Sequence, residues 1–521
     1  MSNLRWLDLV TILLYLAGVA WIGFKFSRRQ TSTEAYFVAR RAIPHWAMGV
    51  SLFATIISSI TFTAYPGAAY DGNWSALVPG FMVLGVLALA GAIIIPFFRR
   101  AVGMSAYEYF GRRFGYGARA YSGVAFAAGH FSKMGFVLYL LAMTVSGMTG
   151  WNIYALIMAA GLVTVLYTLA GGLEAVIWTE VLQGFVKVIG LALVLGYLLY
   201  IMPGGAPAAF RLAQAHQKFS LGTFDLNFAS DGNFWVMSLY GFFWYLQKYT
   251  ADQTIVQRYL VAKSDRDAIK GVTLGAVLCV PVWVLFMLMG TLLWSYYHLS
   301  GDVLPAYVDR PEKVFPYFLA TKIPAGLAGL FMAALFSAGM STMSSDLNCL
   351  SAVVVTDYYC KWKPASPDRR RLAIGKGVVA VCGLTAMGIA LVIALYGDHI
   401  LLLYYAVSSV IAGGLAGLFL LAFFSTRANR QGVWIGLTAN LIFTVWATLT
   451  CGKYKMIDLG HCNFPLADVL IGVVGHVIVL VVGYLASWLF PPEALVKREW
   501  TIWGWLEKRK VPAGAPAASS P

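Results

Sequence analysis

Thirteen apolar stretches, each close to the length of a membrane crossing, constrain what this chain can fold into. They run near 6–24, 45–65, 75–96, 119–147, 152–169, 176–202, 233–250, 271–297, 326–357, 372–395, 400–424, 431–450 and 465–489. About 20 apolar residues in a helix span the hydrocarbon core of a bilayer. Only 12% of the chain is charged and its mean hydropathy is +0.72, whereas soluble domains carry about 25% charged residues. Transmembrane strands would show as short alternating segments, and none occur in the sequence. The expected fold is an all-α membrane bundle of about 13 transmembrane helices.

A formal net charge of +15 invites a nucleic-acid reading, but its placement points elsewhere. With the amino terminus outside and sides alternating at every helix, 27 of the 38 basic residues fall in cytoplasmic segments, among them Arg28, Arg29, Arg99, Arg100, Arg112, Arg113, Arg258, Arg369, Arg370 and Arg371. Eight lie outside, and three (Lys133, Lys187 and Lys248) lie within spans. This is the positive-inside bias of a multi-pass protein, and it favours an odd number of spans. The expected setting is a plasma membrane, such as a bacterial inner membrane, with the carboxyl terminus cytoplasmic. The bases around residue 28 follow the first apolar stretch, so that stretch reads as an anchor rather than a cleaved leader. Residues 1–490 are expected to form one transmembrane domain. Residues 491–521 are expected to form a cytoplasmic tail with a disordered, Pro/Ala/Ser-rich end.

Polar groups inside the spans are few and patterned. Between Phe331 and Tyr358, Ser337, Ser341, Ser344, Ser345 and Asn348 share about one third of the helical circumference, with Thr342 and Asp346 close by. Such groups normally face a bundle interior or a watery cavity. A row of neutral oxygens suits weak coordination of a hard cation such as sodium; it equally suits a serine seam for close packing. Residues 51–67 crowd Thr55, Ser58, Ser59, Thr61 and Thr63 into the second span. That composition favours a break freeing carbonyls for an ion, or a helix whose hydroxyls bond back to its own backbone. After the Gly171-Gly172 turn, Glu180 sits inside the sixth span as a functional candidate, or near a helix end facing water. His130 reads as a packing residue. Cys451 and Cys462 share an outer loop, where a bridge and two free thiols are both open. No CxxC, HExxH, Walker loop or usable dinucleotide motif is present, and the buried charges do not assemble an enzyme's clustered acid, base and nucleophile.

Four segments then carry a resemblance: SAYEYFGRRF at 105–114, AGGLEAVIWTEVLQ at 170–183, QTIVQRYLVAKS at 253–264, and AALFSAGMSTMSSDLN at 333–348 followed by TDYY. In this order, over roughly residues 5–490, the chain resembles the sodium/solute symporter family of sodium-coupled sugar, sialic acid, proline, iodide and pantothenate carriers. The resemblance implies a leucine-transporter-like fold of two inverted five-helix repeats, about 45–202 and 233–424, with a broken second span. The first span, 6–24, and the last two, 431–489, would be accessory. It further implies a sodium site made by the carbonyls of Ala54, Ile57 and Ala338 with the hydroxyls of Ser341 and Thr342. A second sodium site would use Ser341, Ser344 and Ser345 with Glu180, where the family usually has aspartate. Ser58 and Thr61 match solute-facing positions. Lys133 matches a carboxylate-holding arginine of the sialic acid carriers, or pairs with Glu180 or a carbonyl for structure alone. Thr61, Gly80 and Tyr245 stand where galactose carriers place acidic and amide ligands, which argues against a hexose bound in that manner.

The expected function is sodium-coupled import of a small polar solute, an acid or sugar-like molecule, by alternating access. Sodium is the coupling ion and no organic cofactor is expected. The partners are the solute, sodium and the lipid bilayer, with no obligate protein partner. A proton-coupled carrier of the same fold is the alternative. A transporter-like sensor is disfavoured, because about thirty residues beyond the last helix leave no room for an output domain.

Overall fold

The structure, a computed structural model, describes residues 6–396, 413–452, 455–491 and 498–510, with the backbone alone at 89–90 and 508–510. Among them there is no β-strand. Helix α1 (Trp6–Ser27) is followed by α2 (His45–Ile56) and α3 (Ser59–Asp71), which meet at 59°. Then come α4 (Val78–Ala101), α5 (Tyr116–Thr149) and α6 (Ile153–Tyr200). The second half holds α7 (Phe234–Ala251), α8 (Gln253–Val261), α9 (Asp265–Ser300), α10 (Leu327–Val353) and α11 (Asp368–Tyr396). It closes with α12 (Leu415–Phe424), α13 (Arg430–Thr450) and α14 (Leu470–Ala486).

Local chemistry accounts for many of these starts. Asn152, Ser264 and Asn429 each accept a backbone N–H from the first turn of α6, α9 and α13, the role for which such side chains are favoured. Eight described helices are long and apolar enough to cross a membrane, or up to ten if the bent pairs His45–Ile56 with Ser59–Asp71 and Trp74–Ala88 with Gly91–Ala101 each form one span. The other three expected spans concern α6, α7 and α12. Helix α6, at 48 residues, would measure about 72 Å if straight, more than twice the hydrocarbon thickness. It does not run straight: Gly172 adopts φ 57°, ψ −159°. The turn there separates the stretches expected at 152–169 and 176–202. The α7 helix has 18 residues. Most of the expected 400–424 span lies outside the described residues, and α12 is its described part.

Two breaks define the architecture. At Ile57 and Ser58 the backbone leaves the helical region (φ −79°, ψ 93° and φ −98°, ψ 176°). At Asp252 (φ −95°, ψ 115°) the same happens between α7 and α8, at the start of the second five-helix unit. The fold is the leucine-transporter-like inverted repeat, with its second span interrupted. At its centre stands α10, in which every residue from Phe331 to Val353 is buried. Its neighbours are α6, α1, α5, α11 and α2. The hydroxyl stripe thus faces protein on all sides.

Candidate functional site

The break between α2 and α3 lies against α10. Ala54 and Ile57 direct carbonyls toward it, and the Ser341 hydroxyl lies 3.0 Å from the Ala54 oxygen and 3.3 Å from that of Ala338. The Thr342 hydroxyl donates to the Ala338 carbonyl at 3.1 Å. Four of the five residues expected around sodium, Ala54, Ala338, Ser341 and Thr342, therefore meet directly, and Ile57 joins them through a shared donor. Into this cluster reaches a side chain that had registered only as a base within a span. Lys187 of α6 is 1% exposed and donates to Ala54 O at 2.5 Å, Ile57 O at 2.7 Å and Ser341 Oγ at 2.8 Å. The available signal was its depth, since ionisable groups inside spans mark functional sites, together with its position seven residues, two helical turns, beyond Glu180.

Glu180 is fully buried in a second cluster. Its carboxylate accepts from Arg258 of α8 at 3.0 and 3.1 Å, from Thr55 at 3.0 Å, and from Ser51 and Ser345 in short hydrogen bonds. Arg258 is itself 0% exposed and also reaches Ser345 and, at 3.2 Å, Thr55. Of the residues expected at a second sodium site, Glu180 and Ser345 meet. The Ser344 hydroxyl instead bonds back to the Ser341 carbonyl at 3.2 Å. The guanidinium occupies the cationic side of this cluster, as a planar donor suited to a buried carboxylate.

A third network surrounds Lys133. Its ammonium donates to Asp346 of α10 at 2.9 Å, so its partner is neither Glu180 nor a carbonyl. His130 joins Asp346 at 2.9 Å and Asp252, the residue of the second break, at 3.3 Å. Lys248 closes the chain on Asp252 at 2.5 Å. His130 is thus a bridge between two carboxylates, where a packing residue was expected. No spacing rule joins 130, 252 and 346. Lys133 retains 27% side-chain exposure. One helical turn on, the Val137 carbonyl accepts from Ser59 at 3.0 Å, setting the break beside α5. Ser58 and Thr61 lie within or one turn after the break, Thr61 N donating to Ser58 O at 3.0 Å.

The 105–114 segment is tied into the body of the protein. Arg113 is 4% exposed and donates to Ala422 O and Ser425 O at 2.9 and 2.7 Å. The Glu108 carboxylate accepts the N–H groups of Gly103, Met104 and Ser105, each at 3.0 Å. Gln253 holds the same turn from α8, accepting from Ala106 N at 2.7 Å and donating to Met104 O at 2.6 Å. Cys451 and Cys462 are free thiols.

An interrupted span against a central polar helix, with oxygens at the interruption, is the arrangement of a multi-pass membrane transporter. The model of the sodium:solute symporter family matches residues 36–439, and the chain belongs to that family. It is 31% identical over 488 residues to the sodium/sialic acid symporter NanT of Aliivibrio fischeri (strain ATCC 700601 / ES114), covering 93% of each chain. It is 30% identical over 480 residues to the sodium/sialic acid symporter SiaT of Proteus mirabilis (strain HI4320), covering 92% of this chain and 94% of that one. A solved Na+-coupled sialic acid symporter, in a substrate-bound outward-open state, superposes with a TM-score of 0.86 at 29% identity, over 94% of this chain and 99% of the other.

Proposed function

We propose that this protein imports a small acidic, sugar-like solute by sodium-coupled symport, with the amino terminus outside and the carboxyl terminus cytoplasmic. The observation that carries the reading is the joining of family membership to a broken span whose Ala54 carbonyl accepts from Ser341 of α10 and shares Lys187 with the freed carbonyl of Ile57. Neutral oxygens bind a monovalent cation reversibly, and a cation held between α2 and α10 favours the conformation in which they touch; coupling is that difference in affinity. Sialic acid is the solute of the relatives matched over nearly their whole length, and Lys133 beside the break supplies a point charge for a carboxylate. To receive one, Lys133 must share itself with Asp346, its present partner.

Purified protein in liposomes should take up radiolabelled sialic acid, or another acidic sugar from a panel, when a sodium gradient is imposed, and not with choline in its place. Equal uptake in both salts would overturn the sodium part of the reading. Lys133→Gln should weaken uptake of acidic solutes by about tenfold or more, the loss of one charge-assisted contact; an unchanged half-saturating solute concentration would remove Lys133 from the pocket.

A further inference from the structure

We propose that Lys187 is a tethered cation that takes the place of sodium between the broken span and α10, so that a sodium ion enters that site only when the lysine withdraws. The inference rests on the assignment of Ala54, Ile57 and Ser341 as cation-binding oxygens. An ammonium has three N–H donors and no acceptor. Here all three are used, on two carbonyls freed by the break and on the Ser341 hydroxyl. The two remaining expected ligands are engaged with each other, Thr342 donating to Ala338 O. Every oxygen of the cluster therefore has a partner while Lys187 is in place.

The rest of the neighbourhood points the same way. Among the described residues no carboxylate makes an ion pair with Lys187. Glu180, two turns back on the same helix, is committed to Arg258, and Asp346 on α10 to His130 and Lys133. A buried ammonium held only by neutral oxygens has the ligand field of a bound alkali ion. Two positive charges on the same three oxygens repel at close range in a medium of low dielectric, so lysine and sodium exclude one another. Because the lysine is anchored on α6, it competes at a high effective concentration, and the apparent sodium affinity of the native protein is lowered by the fraction of time the site is filled.

The test needs no solute. Thermal unfolding of detergent-purified wild type, Lys187→Met and Lys187→Gln is followed while sodium chloride replaces choline chloride at constant ionic strength. The variants should be less stable than wild type in choline and should recover in sodium, with a half-saturating sodium concentration at least about tenfold below that of wild type. Stabilisation by sodium in the variants but at no concentration in wild type would also support a lysine that fills the site. Superimposable sodium titrations of wild type and both variants, including no response in any of them, would overturn the inference. Using glutamine as well as methionine keeps a polar end on the stem should the apolar variant fail to fold. The uptake experiment above addresses the sodium reading separately: native uptake indifferent to sodium, with variants that bind it, would sink that reading and leave this one standing.

Discussion

At the scale of single residues, the Glu180–Arg258 pair makes the sharpest demand. Both side chains are wholly buried, and removing one partner from such a pair leaves an uncompensated charge, at a cost of about 3–5 kcal/mol. Glu180→Ala should therefore lower the unfolding temperature strongly. The double variant Glu180→Gln with Arg258→Met should be milder than Glu180→Ala; if the double change is worse, the pair is not the source of the penalty. Outside the membrane, the Asp231 carboxyl is pushed up to about 6 from its ordinary 3.8, by partial loss of its water and by Asp468 beside it. An acid raised in the folded state costs stability wherever it is ionised: the penalty is complete above about pH 6 and fades as pH falls toward 3.8. Asp231→Asn should accordingly raise the melting temperature at pH 8, with the gain shrinking at pH 5; a gain equal at both would exclude the carboxyl pair as its cause. Glu180 was legible in the sequence because a carboxylate inside a span stands out. Its partner was not, since Arg258 lies 78 positions away in a segment that reads as cytoplasmic.

Among the elements, the two interruptions show where sequence reasoning reaches. The α2–α3 break was visible in a run of hydroxyl and β-branched residues that favour a helix poorly. The α7–α8 break was not: aromatic residues lead up to it, and Asp252, which both ends α7 and caps α8 by accepting from Thr254 N at 2.8 Å, looks like an ordinary loop acid. The reversal inside α6 was legible as a Gly-Gly turn, and its geometry explains the choice of residue. Gly172 has φ 57°, and a Cβ there would lie 2.7 Å from Tyr36 Cδ2 and 2.9 Å from Tyr36 O. Tyr36 closes over the turn with its hydroxyl 3.2 Å from Thr168 O. Gly172→Ala combines a left-handed conformation with a backbone collision, so a loss of at least about 2 kcal/mol is expected. A variant that purifies monodisperse and melts with wild type would contradict this.

For the whole molecule, the segments that carried the family resemblance are also those that meet in space. Ser105 and Arg119 both donate to Asp357 of the TDYY segment at 2.6 Å, while Gln253 of the QTIVQRYLVAKS segment grips 104–106 and Gln257 donates to Phe37 O at 2.7 Å. Sequence order could list these segments but not join them, because each contact spans a hundred residues or more. The same holds for Lys187, whose stem leaves one helix and whose head lands between two others. At the far end of α10, the Asp8 carboxylate of α1 accepts the amides of Gly326 and Gly329 at 2.7 and 2.8 Å, where the positive end of the helix dipole favours an anion. Helix α1 turns Trp6, Leu13, Leu14, Trp21 and Phe24 outward. With α10 clasped in this way, any tilt would carry a broad greasy plank sideways through the surrounding lipid, and the viscosity of the host bilayer would act as a brake on it.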